Sequence, residues 1–336
     1  MGLGGPGRFL FIVKSSAPGK IILFGEHAVV YNRPALAVPV NQVQVDVEVL
    51  ESDSAGIWIH APIINLHAEL NTLPPDHAIA SVIRQLFSSL QESPSPSGRG
   101  ARRRTELVEV GEGGIKINIS STIPVASGLG SGAAVSVALI RALSSFFFLP
   151  LTDDKINNMV FEIEKVYHGT PSGIDNTDIT FNKPVYFIKG QPIETFKVGK
   201  PFTIVIGDTG IPALTKESVG DVRRLWLKDN NKFENIFNEI AQISLIARRS
   251  IESGKTDLLG DLMDHNHSLL QQLTVSSPEL DKLVLSARNA GALGAKLSGG
   301  GRGGNMIALV NQAEASQVAE SLIKAGAKNT IITEIK

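Results

Sequence analysis

Three glycine-rich segments, 17–31, 124–134 and 295–305, contain most of the side chains whose types and spacing could do chemistry. The central segment has three glycines and two serines directly before an apolar stretch. Small residues let a backbone approach an anion closely, and a helix N-terminus offers unpaired N–H donors and the positive end of the helix dipole. The central segment therefore predicts a phosphate-binding loop.

We expect every residue of this loop to contribute to nucleotide binding. They are Pro124, Val125, Ala126, Ser127, Gly128, Leu129, Gly130, Ser131, Gly132, Ala133 and Ala134. Two common phosphate-binding patterns do not fit the chain. The Gly-Lys-Thr at 254–256 has Arg249 where a Walker A loop requires its first glycine. The loop's three glycines are evenly spaced, unlike those of the dinucleotide-binding G-x-G-x-x-G.

The first segment places Lys20 at the start of a short apolar strand whose other end reads Gly25-Glu26-His27. A single lysine is usually a surface charge, but a lysine facing such a cluster along one strand is a candidate for chemistry. The third segment has five glycines and Arg302 in a turn between a helix and a strand. It indicates either a backbone approached by an anionic ligand or a merely flexible loop.

Composition excludes several classes of function. Lys and Arg total 32 against 33 Asp and Glu, so the chain lacks the basic surface of a nucleic-acid-binding protein. There are no cysteines, which excludes disulfides, thiolate metal sites and cysteine nucleophiles. No apolar run has the length of a membrane span, and the short patch near the N-terminus is too short for a signal peptide. We expect a cytoplasmic protein with no membrane and no nucleic-acid partner.

Hydrophobic periodicity predicts a mixture of strands and helices. Valines alternate with polar residues over 43–49 and isoleucines over 115–119, which is typical of half-buried strands. Helices are predicted at 77–90, 132–148, 230–253, 257–273 and from Pro278, and the chain is predicted to finish as strand, helix, strand. This mixture favours an α/β or α+β fold.

A segment rich in Ser, Pro and Arg, at about 93–113, separates the two predicted strands. It carries Arg99, Arg102, Arg103 and Arg104. The four arginines could form an anion-binding patch, but no aromatic residue accompanies them, so a solvated insertion is the favoured interpretation.

The three segments, in this order, resemble the three motifs of the GHMP kinases, which include galactokinases, homoserine kinases, mevalonate kinases and phosphomevalonate kinases. The resemblance extends from about Ser16 to the C-terminus. Within this superfamily, residues 18–31 and the segment His168-Gly-Thr-Pro-Ser-Gly-Ile-Asp175 are most similar to mevalonate kinases.

The resemblance implies roles for individual residues. Asp175 matches the family's catalytic aspartate and Lys20 its active-site lysine. Glu164 matches its magnesium-binding glutamate, and Thr215 a threonine near the transferred phosphate. With ATP and Mg²⁺ as cofactors, Asp175 would accept or orient the substrate's hydroxyl proton while Lys20 stabilises charge on the phosphoryl group.

Substrate contacts and departures from the pattern concern four further residues. The resemblance places Glu26 and His27 beside the substrate. Gly132 stands where the family usually has a serine that helps hold Mg²⁺, so Ser131 or water would substitute. Arg302 stands where many members have glycine; it either reaches a phosphate or packs on the surface.

The implied fold combines an N-terminal α/β domain of the ribosomal S5 type, over 10–195, with a C-terminal ferredoxin-like α+β domain, over 196–336. The implied reaction is ATP-dependent phosphorylation of the primary 5-hydroxyl of mevalonate. Another GHMP kinase, acting on phosphomevalonate or a sugar, and a non-catalytic ligand sensor on this fold are the alternatives. The resemblance leaves a homodimer open.

Overall fold

The chain folds into two compact units, seen in a computed structural model that describes residues 11–91, 114–124, 127–149, 151–168, 171, 173–192 and 194–336. The described residues of unit one fall within Met1–Ala17, Val45–Thr122 and Ala134–Tyr167; those of unit two fall within Pro18–Gln44, Ile123–Ala133 and His168–Lys336. The predicted domain boundary at residue 195 stays a prediction. The Ser/Pro/Arg-rich insertion lies outside the described residues.

Two long strands, β1 (Ile12–Phe24) and β2 (Ala35–Ser52), contribute to both units. The other elements of unit one are β3 (Gly56–Ala61), β4 (Leu66–Glu69), α1 (Ala78–Gln91), β5 (Gly114–Ser121), α2 (Ser131–Phe146) and α3 (Asp153–His168). Its strands lie in the order β4-β3-β5-β2, with β1 paired to β2. Helix α2 begins at Ser131, in the part of the phosphate loop that belongs to unit two, and continues from Ala134 in unit one.

The alternating strands predicted from the sequence are confirmed. Val45, Val47 and Val49 of β2 are buried while the residues between them are partly exposed. Val47 pairs with Ile119 in the antiparallel register of β2 and β5. One face of this part of the sheet is therefore apolar, as period-two alternation requires.

Unit two contains the C-terminal half of the chain and both outer glycine segments. Its elements are α4 (Ile174–Phe181), β6 (Val185–Phe187), β7 (Glu194–Thr195), β8 (Phe202–Asp208), α5 (Thr215–Lys228), α6 (Asn230–Glu252), α7 (Leu259–Gln272), α8 (Pro278–Asn289), β9 (Gly294–Ser298), β10 (Asn305–Val310), α9 (Ala315–Ala325) and β11 (Asn329–Ile335). The first residues of β2 pair with β6, which pairs with β7.

A four-stranded antiparallel sheet, in the order β11-β8-β10-β9, forms the framework of unit two. With strands in that order and helices between β8 and β9 and between β10 and β11, the arrangement is the ferredoxin-like one predicted. Strands β9 and β10 are buried along their whole length. The turn between them is the third glycine segment, which the sheet therefore holds by both ends.

The predicted helices of unit two are confirmed to within two residues at α6 and α7. Helix α8 has the expected cap, because the Ser277 side chain accepts a hydrogen bond from the backbone N–H of Leu280 and Pro278 occupies the first turn. The sequence patterns missed α4, α5, β7, β9 and the β3–β4 hairpin. No helix in the described part of the chain is long and apolar enough to cross a membrane.

Candidate active site

The first glycine segment is shaped by a sharp turn at the end of β1. Gly25 has a φ of 96°, and a Cβ there would come within 2.4 Å of the backbone of Pro34 and Ala35, so a larger residue cannot occupy it. His27 also has a positive φ, of 60°. This turn places Glu26 and His27 beside the third segment, as their contacts below show.

The second segment forms a loop that turns into α2 at Ser131. Gly128 and Gly130 have φ angles of 81° and 76°, a region that residues with a side chain rarely adopt. A Cβ at Gly130 would lie 2.6 Å from Ile179 and 3.1 Å from the stem of Lys20, so this glycine lets α4 and β1 pack against the loop. Val125 and Ala126 lie outside the described residues.

Lys20 joins the loop to the predicted catalytic aspartate. Its backbone N–H donates to the carbonyl of Leu129 at 3.0 Å, and its Nζ lies 2.7 Å from an Oδ of Asp175. The Lys20 side chain is 4% exposed, whereas that of Asp175 is 38% exposed. A nearly desolvated cation is thus held beside the loop by a carboxylate that an incoming molecule can reach.

The third segment binds both of the others. Asn305, at its end, donates from Nδ2 to the Ser127 carbonyl of the loop. Ser298, at its start, donates to the carbonyl of Ile22 in β1 at 2.8 Å. Lys296 donates to Glu26, and both of these side chains are fully buried. The three motifs that the sequence spreads over nearly 300 positions therefore form one connected structure within unit two.

His27 is a further link between the first and third segments. Its Nε2 lies 3.1 Å from the carbonyl oxygen of Gly300, so Nε2 carries the ring proton and donates a hydrogen bond to this oxygen. Burial lowers the pKa of His27 to about 4, and the nearby charge of Arg302 acts in the same direction. His27 is therefore neutral at pH 7.

Glu26 has less access to a substrate than the sequence suggested. Burial raises the pKa of its carboxyl and lowers that of the Lys296 ammonium, while the attraction between the two opposes both shifts. Any direct contact between a substrate and Glu26 would require this buried ion pair to open.

Thr215 lies against the third segment, as the first residue of α5. A Cβ at Gly300 would come within 2.5 Å of its Oγ1, so the two backbones meet only because residue 300 has no side chain. Thr215 is exposed, which leaves its hydroxyl accessible.

Arg302 packs against neighbouring elements of unit two. Its guanidinium binds the Asp221 carboxylate of α5 and donates to the Thr274 carbonyl at 3.2 Å, while its φ is 58°. Its backbone N–H donates to Val275. The residue fastens the glycine turn to α5 and to the segment after α7.

The predicted magnesium ligands, Ser131 and Glu164, each have a side-chain oxygen. Ser131 is partly buried at the first position of α2, and Glu164, on α3 of unit one, is 8% exposed. The described residues contain no cluster of three His, Cys, Asp or Glu side chains able to hold a metal ion. Oxygen is the ligand atom that Mg²⁺ prefers, so the chemistry of each residue taken by itself fits the ion, and their roles as its ligands stay predictions.

Two histidines of α7, His265 and His267, have different environments. His265 is exposed and faces Glu239 at 2.9 Å. His267 is buried, accepts from the Leu297 N–H at Nδ1 and donates from Nε2 to Asp281 at 3.1 Å. Rather than binding a metal, His267 supports β9.

Sequence reasoning missed three residues of this region: Lys296, Asn305 and Asp178. A lysine inside an apolar strand was a signal for the first, and an asparagine closing a glycine run was a signal for the second. Asp178 is wholly buried, one helical turn after Asp175. The repeat of aspartate three positions after Asp175 was the signal for it.

Comparison with known proteins agrees with this geometry. Residues 99–181 match the N-terminal domain of GHMP kinases, and residues 247–328 match their C-terminal domain. The mevalonate kinase of Thermococcus gammatolerans is 35% identical over 96% of each chain, and that of Saccharolobus solfataricus is 33% identical over 89% of this chain and 90% of its own.

Solved structures show the same similarity. The structure of L. major mevalonate kinase in complex with R-mevalonate has a TM-score of 0.82 at 27% identity and covers 99% of each chain. The predicted fold class is thereby confirmed. Similarity over nearly the full length, together with the joined glycine motifs and the Lys20–Asp175 pair, means that this chain is a member of the GHMP kinases and, among them, of the mevalonate kinase family.

Proposed function

We propose that the protein transfers the γ-phosphoryl group of ATP to the primary 5-hydroxyl of mevalonate, giving 5-phosphomevalonate. The observation that carries the proposal is the ion pair of Lys20 and Asp175, 2.7 Å apart, with Lys20 bonded to the phosphate loop at Leu129. A kinase needs such a carboxylate and such a cation within reach of a bound phosphate.

In the proposed reaction the hydroxyl oxygen forms a bond to the γ-phosphorus as the bond to the bridging β–γ oxygen breaks. Asp175 is the proton acceptor for the hydroxyl, since it is partly exposed and is held in place by Lys20. Lys20 stabilises the charge that develops on the transferred group, and its burial strengthens this interaction. ADP leaves with the charge of the broken bond.

The phosphate loop holds the β- and γ-phosphates through backbone N–H groups at the start of α2. Glu164 and Ser131 are the proposed Mg²⁺ ligands, and the ion neutralises phosphate charge when bound. Gly132 is exposed and provides no hydroxyl, so Ser131 is the serine of the loop left for this role at the helix start.

Substrate recognition is proposed for His27 and Thr215. The Nε2 of neutral His27 is already hydrogen-bonded to the Gly300 carbonyl. His27 therefore contributes to substrate binding through the surface of its ring and through the turn that it orders. The hydroxyl of Thr215 is exposed beside Gly300, where it can donate to a phosphate or a carboxylate. Glu26 contributes to substrate binding indirectly, because its pair with Lys296 joins the turn that carries His27 to the third glycine segment. The cytoplasmic location and the homodimer stay predictions.

A coupled ADP-release assay tests the proposal over mevalonate, phosphomevalonate, homoserine and galactose at equal enzyme and MgATP concentrations. We expect mevalonate to have the highest kcat/KM, and we expect phosphate to appear on the 5-oxygen by ³¹P NMR of the product. Reactions lacking substrate provide the background rate of ATP hydrolysis. A higher kcat/KM for phosphomevalonate or galactose would refute the substrate assignment, and ATP binding without turnover of any of the four would favour the ligand sensor.

A further inference from the structure

Asp178 is a buried carboxyl group for which the proposed reaction has no use. Its exposed fraction is 0%, and neither of its oxygens has a hydrogen-bond partner in the described part of the chain. A charged carboxylate in such a place costs several kcal/mol, so a buried aspartate without partners calls for an explanation.

The position of Asp178 ties it to the proposed phosphoryl-transfer residues. It follows Asp175 by three positions on α4, and residues three apart share one side of a helix. The next residue, Ile179, packs at Gly130 beside the stem of Lys20, so this part of α4 lies against β1 and the loop. Asp175 and Asp178 are thus two carboxyl groups close to one buried lysine.

The charges that act on Asp178 come from Lys20 on β1 and from Asp175 on its own helix. Burial raises the pKa of Asp178 well above its ordinary value; the charge of Asp175 raises it further, and the charge of Lys20 only partly opposes the shift. Asp175, by contrast, is partly exposed and directly bonded to Lys20. Burial without a hydrogen-bond partner among the described residues therefore favours the neutral form of Asp178.

We infer that Asp178 is a pH-sensitive group beside the phosphoryl-transfer residues: it is neutral in the working enzyme, and its ionisation would put a second carboxylate next to Lys20 in competition with Asp175. The inference depends on the roles proposed above for Lys20 and Asp175. A protonated Asp178 places no second negative charge beside the lysine, so the lysine's field remains directed at Asp175 and the phosphoryl group.

Ionisation of Asp178 would impair both functions of the pair. A second carboxylate would compete for Lys20 and would draw its charge away from the transferred group. Lys20 has little freedom to serve three anionic groups, because its stem is enclosed by Gly130 and its backbone is bonded to Leu129. The kcat of the wild-type enzyme should therefore fall as the pH rises into the alkaline range, with Asp178 as the titrating group.

The test is the dependence of kcat on pH between about 6 and 10 for the wild type, Asp178→Asn and Asp178→Val. Both variants mimic a permanently neutral residue of similar size, and neither loses a hydrogen bond seen in the structure. At pH 7 we expect both to keep kcat within about threefold of the wild type. The wild-type kcat should fall about tenfold per pH unit above the titration of Asp178, and this decline should be absent from both variants. Asp257→Asn, an exposed aspartate of the same unit, is the matched control and should keep the decline.

Unfolding provides a second measurement that does not depend on activity. A proton bound by buried Asp178 stabilises the folded state at low pH, and this contribution is lost as pH rises towards the raised pKa. The unfolding midpoint of Asp178→Val should therefore rise relative to the wild type as pH increases. An alkaline decline of kcat that persists in both variants, or its absence from the wild type, would overturn the inference. Wild-type kcat in Asp175→Asn would instead refute the roles proposed for the pair, and the unfolding measurement would still report on Asp178.

Discussion

Lys296 donates a hydrogen bond to Glu26 across 270 residues of sequence, and both side chains are fully buried. Lys296 also donates to the Leu297 carbonyl at 2.6 Å, so its ammonium group is bonded on both sides. The pair joins β9, which leads into the third glycine segment, to the turn that carries His27. Its geometry gives it a positioning role, since the pair itself leaves no face open to a ligand.

The first prediction is that Lys296→Met destabilises the protein strongly. It leaves Glu26 buried without its cation, and removing one partner of a buried pair typically costs about 3–5 kcal/mol. The double variant Glu26→Leu/Lys296→Met should be closer to the wild type in its urea unfolding midpoint, because it removes both buried charges. Lys282→Met, on the exposed face of α8, is the control and should change the midpoint little. Additive effects of the two single substitutions would contradict the coupling.

The second prediction concerns Lys20 and Asp175. Asp175→Asn should lower kcat by about 100- to 10,000-fold, because the amide keeps the shape but cannot accept the proton. Lys20→Met should also lower kcat while keeping the stem that packs beside Gly130. Because the two side chains act as one unit, the double variant should be much less impaired than the product of the single effects.

Titration with ATP by calorimetry separates this loss of chemistry from a loss of binding. We expect the dissociation constant of ATP to change by less than about tenfold in Asp175→Asn, as the loop that binds the phosphates is left intact. Near-normal kcat in Asp175→Asn would remove the residue from the reaction. Fully multiplicative losses would show that the two residues act independently.

Elements with a strong pattern could be predicted from the sequence, and those without one could not. The valine alternation of β2 and the apolar surface of α2 follow from local residue order. Helix α5 was missed because it buries little: of its 14 residues Ser218 and Val222 are the buried ones, and six of the other twelve are charged. Strand β9 was missed because Lys296 interrupts its apolar residues.

The residues of the functional site also fall into those that could be predicted from the sequence and those that could not. The loop, Lys20 and Asp175 could be found because motif residues keep a fixed spacing along the chain. The bonds of Lys296 to Glu26 and of Asn305 to Ser127 join residues 270 and 178 positions apart, and no local pattern records such a pairing. The structure was needed to show that Glu26 is held by a lysine and that Asp178, beside the site, has no hydrogen-bond partner among the described residues.

The last prediction is that acid weakens the protein through its buried histidines. Burial lowers the pKa values of His27 and His267 to about 4 from 6.5, so both are neutral in the folded state and bind protons more readily once unfolded. Their contribution to stability is therefore complete above about pH 6.5 and is lost as pH falls towards 4. Each histidine contributes a slope of up to about 1.4 kcal/mol per pH unit in this window.

His267→Gln isolates one of these contributions, since glutamine can still accept from Leu297 and donate to Asp281. At pH 7.5 its free energy of unfolding should be lower than that of the wild type by about 1–2 kcal/mol, because the packing of the ring is lost. Between pH 6.5 and 4.5 its free energy of unfolding should fall less steeply than that of the wild type. The difference in slope should correspond to about one proton. His265→Gln, on the exposed side of the same helix, is the matched control and should keep the wild-type slope. Equal slopes for His267→Gln and the wild type would show that His267 is not the group whose protonation opposes folding.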